Sequence, residues 1–284
     1  TNNTSLRTNG WELNVTWRDR LKNGLGYNVA FNLSDARTEI LEYPNHTGTV
    51  TGYYSGKDMG EIWGFETIGI AKTQEEMDAH LTSLPNGGQT TMGNNWAAGD
   101  IMYRDLNNDG KIDWGNSTKE DLGDMKVIGN ETPRYMFGLN LGLDYKGFDV
   151  SVFFQGIMKR DYFTGSSDFW GASSLWSSTF YEQHMDYFRA DENHPLGANL
   201  NGYYPRPVFD SGKNKHAQTR YLLNAAYIRL KNLSIGYTLP QTWTNKLRLQ
   251  NLRVYVTGEN LWTGTGLTDL FDPETISTDP AGMM

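Results

Sequence analysis

The 284-residue chain contains no cysteine. That absence excludes a disulfide framework, thiolate zinc sites and cysteine nucleophiles, and leaves stability to packing and hydrogen bonds. No run of about 18 apolar residues occurs, so no transmembrane helix is expected. A membrane β-barrel stays open, because strand alternation hides its apolar face from hydropathy averages. Basic residues form no stripe and the formal net charge is −8, which makes nucleic acid a poor partner. The five histidines, His46, His80, His184, His194 and His216, show no HExxH or other short zinc spacing, and no GxSxG elbow occurs. "GYYSGKD" has the wrong spacing for a phosphate loop and carries Asp58 where Ser or Thr is needed. Carboxylate pairs are numerous, but a glycosidase pair is defined by distance and not by spacing. With no motif for a reaction, the chain is not expected to be an enzyme. No leader opens the sequence, and Thr1 reads as a processing boundary.

What is plentiful is glycine (31), tyrosine (16) and tryptophan (9), a mixture suited to β-structure with large loops. The strongest pattern has period two. In "RYMFGLNLGLDY" the positions Tyr135, Phe137, Leu139, Leu141, Leu143 and Tyr145 alternate with Met136, Gly138, Asn140, Gly142 and Asp144. After a Lys146-Gly147 turn the alternation resumes through Phe148, Val150, Val152 and Phe154. The same pattern places Trp11, Leu13, Val15 and Trp17 on one side, then Leu25, Tyr27, Val29, Phe31 and Leu33. It returns at Ala226, Ile228 and Leu230, changes phase to Leu233, Ile235 and Tyr237, and closes with Leu252, Val254 and Val256. A bulge near Lys231-Asn232 would absorb the slip. Six strands are expected, near 10–20, 25–36, 134–145, 148–158, 225–239 and 251–263.

The connections alternate too. Those at 18–24, 146–147 and 240–251 are short; 37–133, 158–224 and 263–284 are long. Outer-membrane barrels have short turns on one side and long loops on the other, with aromatic residues near the strand ends. The expected fold is therefore all-β: antiparallel strands of a partial transmembrane β-barrel facing outer-membrane lipid, with long, structured extracellular loops. The competing reading is a soluble, secreted β-sandwich that binds carbohydrate. Six strands cannot close a membrane barrel, for which about eight is the smallest common number, so the chain reads as part of a larger one.

"DLNNDGKID" begins like a calcium loop. Asp105, Asn107, Asp109 and Asp113 fall at positions 1, 3, 5 and 9, with Gly110 at the sharp turn and Lys111 offering its backbone carbonyl. Position 12 is Asn116 and not glutamate; later acids follow at Glu120, Asp121 and Asp124, and of these Asp121 is the expected closing ligand. The flanks are too short for a helix–loop–helix sensor, so Ca2+, if bound, is a structural strut. In the same long loop "TQEEMDAHL" opens with a capping box, Thr73 with Glu76, and predicts a short helix; "GYYSGKDMGEIWGFET" reads as a strand pair. The second long loop is rich in aromatics. Trp170, Trp176, Tyr181, Tyr203 and Tyr204 are its candidate contacts for a substrate or a covering partner, with internal packing as the alternative.

"GDIMYRDLNNDGKID", "VIGNETPRYMFGLNLGLDYKGFDVSVFFQG", "RYLLNAAYIRLKNLSIGYTLP", "LRVYVTGENLWT" and "FDPE" together resemble the C-terminal part of SusC/RagA-type TonB-linked outer-membrane proteins. "NGWELNVTWRD" and "GYYSGKDMGEIWGFETIGIAKTQEEMDA" fit in the same order. The resemblance implies the C-terminal strands of a 22-stranded barrel, plugged in the complete protein. It further implies import of glycans or peptides beneath a SusD-like surface lipoprotein, energised through TonB–ExbB–ExbD. The plug would then lie before Thr1 and the closing strand after Met284, and this chain would not transport by itself. The family's aspartate loop matches Asp105, Asn107, Asp109 and Asp113, while "WGNSTKE" before Asp121 departs from its compact form.

Overall fold

The structure, a computed structural model, describes residues 3–176 and 178–276. In chain order the strands are β1 (Ser5–Arg20), β2 (Gly26–Glu42), β3 (Glu61–Phe65), β4 (Thr67–Ile70), β5 (Ile101–Tyr103), β6 (Met125–Asn130), β7 (Arg134–Tyr145), β8 (Phe148–Lys159), β9 (Asp161–Tyr162), β10 (Leu223–Asn224), β11 (Tyr227–Thr238) and β12 (Arg253–Thr265). Six of them form one open antiparallel sheet in the order β1-β2-β7-β8-β11-β12. Part of the last expected loop, 277–284, lies outside the described residues.

The register converts alternation into two faces. Tyr27, Leu143, Val150, Ile235 and Val256 stand abreast across five strands, as do Val15, Phe31, Leu139, Phe154, Leu230 and Trp262 across six. On the other face Thr16, Ala30, Asn140, Phe153, Asn232 and Glu259 form a row. Both ladders of β11 shift register between Leu230 and Asn232, where the sequence changes phase. The turn after β7 has positive φ at both Lys146 (49°) and Gly147 (88°), as a two-residue hairpin matched to strand twist requires. On the polar face the glycines make room for neighbours. A Cβ at Gly142 would lie 2.0 Å from Asn28 Oδ1, so the Asn28 amide lies over bare backbone.

The apolar face packs against nothing in the described chain. Trp17 is 61% exposed and Val256 75% exposed. The sandwich reading fails here, because no second sheet covers these residues. From Trp11 to Trp17 the belt runs about 20 Å along the strand. Above it the same face turns charged: Arg7 pairs with Glu39 at 2.6 Å and Arg37 Nε donates to Asp58 Oδ1 at 2.8 Å. This ladder explains why β1 and β2 extend several residues past the apolar alternation to Ser5 and Glu42: backbone pairing and cross-strand ion pairs carry on where hydrophobicity stops.

The first long loop departs from the expected strand pair. β3 pairs with β6 and β4 with β5. Only Glu66 separates β3 from β4, which leaves no residues for a hairpin turn. The expected helix is present as α1 (Gln74–Thr82), capped by Thr73 Oγ1 accepting from Glu76 N–H at 3.2 Å. The Glu76 carboxylate closes back on Lys72 N–H, one residue before the cap.

Placing arginine at Leu141, in the middle of the belt, is expected to destabilise the barrel by about 2–4 kcal/mol, whereas Asn140→Ser on the inward face should change it by less than about 0.5 kcal/mol. Urea titration of the full-length protein in lipid vesicles, read by the heat-modifiable band on gels, checks both.

Candidate functional site

All the long loops emerge at the end of the sheet opposite the Lys146-Gly147 turn, and they share one core. Phe65, Ile101, Tyr103 and Ile112 from the first loop, Phe169, Trp170, Tyr204 and Tyr221 from the second, and Leu267 and Ile276 after β12 are buried together. The rings meet edge to face: Phe65 with Tyr103 at 5.6 Å, Trp170 with Tyr221 at 4.7 Å, and Phe169 with Tyr204 at 5.5 Å. Such pairs add to burial because ring edge and ring face carry opposite partial charge.

One buried carboxylate joins the two loops. Asp100 is fully buried. Its Oδ1 accepts from Arg206 Nε at 2.8 Å and Asn214 Nδ2 at 2.9 Å. Its Oδ2 accepts from Arg206 Nη2 and Lys213 Nζ, both at 2.8 Å, and from Ala97 N–H at 2.9 Å. The Lys213 ammonium also donates to Asn94 and Asn95 carbonyls and lies 4.9 Å from the Trp96 ring centre. Burial alone would raise the Asp100 pKa, but the donors from Arg206, Lys213 and Asn214 hold it below the usual carboxylate value.

The aspartate loop is a compact series of turns. Asp105 accepts from Asn108 N–H at 2.6 Å and Gly110 N–H at 2.8 Å, Asn107 Oδ1 from Asp109 N–H at 3.0 Å, and Asp109 from Lys111 N–H at 3.1 Å. Asp113 accepts from Gly115 N–H at 2.7 Å and is ion-paired with the Lys111 side chain. Gly110 takes φ 80° at the sharp reversal, and Ile112 anchors the loop in the core. Asp121 is not at the centre. Its carboxylate accepts from Asn116 N–H at 3.0 Å and Asn116 Nδ2 at 2.8 Å, inside the turn made by the inserted residues. The place facing Asp105 belongs to Asp124, which is fully buried and accepts from Leu106 N–H at 2.7 Å and Asp113 N–H at 2.9 Å. Burial, and then the nearby Asp105 and Asp109, push its pKa up. With their oxygens turned to backbone N–H groups, no three acidic or histidine side chains converge on one point among the described residues.

The aromatic candidates divide. Trp170 and Tyr204 are buried core residues, and Tyr203 packs at the edge of the core, 4.9 Å from Tyr204 and 5.4 Å from Tyr221. Trp176 is 95% exposed, and Leu175, Phe180 and Tyr181 beside it are exposed as well. Of the five candidates, Trp176 and Tyr181 at this tip are therefore the ones the fold leaves exposed. Sequence reasoning did not single out Asp100, Arg206 or Lys213, and it preferred Asp121 to Asp124. Asp100 did leave a signal, a charge directly before the wholly apolar "IMY".

No family model matches the chain. TonB-dependent receptor P3 of Formosa agariphila is 28% identical over 283 residues, covering 95% of this chain and 25% of the relative. TonB-dependent receptor P26 of the same organism is 24% identical over 282 residues, covering 95% and 26%. The chain is a homologue of TonB-dependent receptors. It spans about a quarter of the length of these relatives. The solved structure of the RagAB peptide transporter superposes with a TM-score of 0.60 at 22% identity, covering 96% of this chain and 27% of that one; its "open-open" form gives 0.59 at 19% identity, covering 95% and 26%. The open sheet thus has the fold of one sector of such a transporter barrel, and its apolar belt lies in the bacterial outer membrane.

Asp100→Asn leaves the buried Lys213 and the half-buried Arg206 without a counter-charge and is expected to cost about 3–5 kcal/mol. The Asp100 pKa is lower in the folded state, so its contribution is complete above the unfolded value near 3.9 and is lost as pH falls through the folded value. Limited proteolysis of the full-length protein should show earlier cuts in 43–133 for the variant at neutral pH, and for wild type only at strongly acid pH.

Proposed function

We propose that this chain forms barrel wall and outer vestibule of a SusC-like importer, which takes up oligosaccharides or other complex nutrients through the bacterial outer membrane. The observation that carries the reading is the two-faced sheet crowned at one end only by loops with a common core. The belt fixes the wall in lipid, the Asn- and Gly-rich face lines a watery lumen, and the loop cluster stands over its mouth. In the complete protein a plug and TonB–ExbB–ExbD would supply the energy step. The exposed tip at Leu175, Trp176, Phe180 and Tyr181 suits a SusD-like lipoprotein, because large apolar rings in water mark docking sites.

In this reading Ca2+ braces the first loop. Asp124 fits such a role chemically: it is a buried carboxylate beside Asp105 and Asp109, with no cation paired to it among the described residues. Asp105, Asn107, Asp109, Asp113, the Lys111 carbonyl and Asp124 would hold the ion, which would offset their mutual repulsion. Without calcium the raised Asp124 pKa makes the loop most stable below the unfolded value, and that stability is lost as pH rises through the folded value. Bound calcium should reverse this trend. Adding calcium to chelator-treated full-length protein at pH 7 is therefore expected to protect 105–124 from hydrogen exchange, and Asp124→Asn should abolish the protection.

The importer reading is tested by uptake of fluorescent oligosaccharides into cells carrying the full-length gene. Uptake should stop when TonB is deleted; uptake that survives the deletion overturns the reading. Trp176→Ala should weaken co-purification of the surface lipoprotein at least about tenfold without altering the melting temperature.

A further inference from the structure

Within the second loop a small cavity of about 30 Å³ opens between the segments 170–187 and 205–215. Its lining is lopsided in charge. Arg206, Lys213 and Lys215 contribute to the wall, and no aspartate or glutamate does. The other large cavities are balanced: the one of about 420 Å³ beside β2 and β6 sets Arg37, Arg134 and Lys159 against Asp58, Glu61 and Asp161. Asp100 behind the wall offsets one of the three charges, which leaves an excess of positive charge facing the cavity.

Two of the three cations have donors to spare. Lys213 is committed to Asp100 and to two carbonyls. Arg206 uses Nε and Nη2 on Asp100 and Asn95, which leaves Nη1. The Lys215 ammonium donates to the Ala172 carbonyl, and no carboxylate lies within ion-pair distance among the described residues. Burial lowers the Lys215 pKa, with Asp210 acting in the opposite sense, so an anion against it would be felt at low dielectric. The rest of the wall is aromatic or apolar: Trp170, Phe180, Tyr187 and Tyr204, with Pro205 and Pro207. Phe180 is half exposed at the rim, next to the Trp176 tip.

We infer that this cavity is a subsite for the carboxylate of an acidic oligosaccharide, a substrate class that rests on, and narrows, the importer reading. The volume admits a carboxylate-sized group and excludes a whole sugar ring, so the ring would lie outside, against the exposed aromatic rim. Arg206 Nη1 and Lys215 Nζ supply charge-assisted donors. A peptide is the poorer fit. Pro205 and Pro207 lack N–H groups, so this wall cannot pair with an extended backbone as a strand edge would.

The test uses the full-length receptor in detergent, titrated calorimetrically with tetragalacturonate, with its methyl ester and with tetraglutamate. Tetragalacturonate should bind at least tenfold more tightly than its ester, and the advantage should vanish in Lys215→Met. Phe180→Ala, at an exposed rim position where folding is not at stake, should weaken both saccharides together. Three results overturn the inference: ester and acid bound alike or not at all, an acid preference unchanged in Lys215→Met at unchanged melting temperature, or tetraglutamate bound in preference to the saccharide. The importer reading is judged separately, by TonB-dependent uptake, and can stand while this subsite falls.

Discussion

Hydrocarbon has to cover the outward face of the sheet, and the rest of the molecule is arranged around that requirement. About half a dozen strands present Trp, Leu, Val and Phe to one side with nothing in the chain behind them. In water such a face would cost about 25 cal/mol for every Å² left exposed, far beyond the margin by which domains are stable. Lipid removes that cost and imposes another, since every backbone N–H and C=O at that depth must be paired within the wall. The long, regular ladders meet this demand for the four inner strands β2, β7, β8 and β11. The bulge between Leu230 and Asn232 is tolerated because both neighbouring strands shift register with it.

Above the belt the physics inverts. The loops stand in water, cannot lean on lipid, and so build a core of their own. That core is aromatic, and its two halves come from two loops separated in sequence by the β7–β8 hairpin. Apolar packing alone is non-directional. The Asp100 cluster adds direction: a carboxylate with five donors around it admits one arrangement of Arg206, Lys213 and Asn214. A buried ion pair is a weak source of net stability but a strong penalty on misalignment, which suits two long loops that must meet in one arrangement.

The wall was legible because period two is a local property: Trp11 through Trp17 or Phe137 through Tyr145 reveal their face without a partner. The phase change at Lys231 was legible for the same reason. The loops were not. The partner of β3 lies 60 residues on, beyond the aspartate loop, and nothing in "EIWGF" points there. The spacing of Asp105, Asn107 and Asp109 identified a turn that folds as expected, but the inserted "WGNSTKE" forms its own turn around Asp121 and hands the inner position to Asp124. Counting along the chain cannot show which of two aspartates an insertion carries away. Aromatic richness in the second loop signalled importance without dividing buried Trp170 from exposed Trp176, because both roles draw on the same residue types.

The sheet is tied to the loop core above it through side chains of β11. Arg229 stands on the inward face of β11, nearly buried. It donates to Thr263 Oγ1 at 2.7 Å, Asp272 Oδ1 at 2.7 Å and Glu274 Oε2 at 2.8 Å. Lys231, at the bulge, reaches the same Glu274 at 3.0 Å. The segment carrying those acids also places Phe271 5.7 Å from Tyr162 and sends the Ile276 carbonyl to Arg160 Nη2 at 3.3 Å. Two neighbouring cations, Arg229 and Lys231, thus reach one acidic segment, and that segment fastens the sheet to the aromatic core above it.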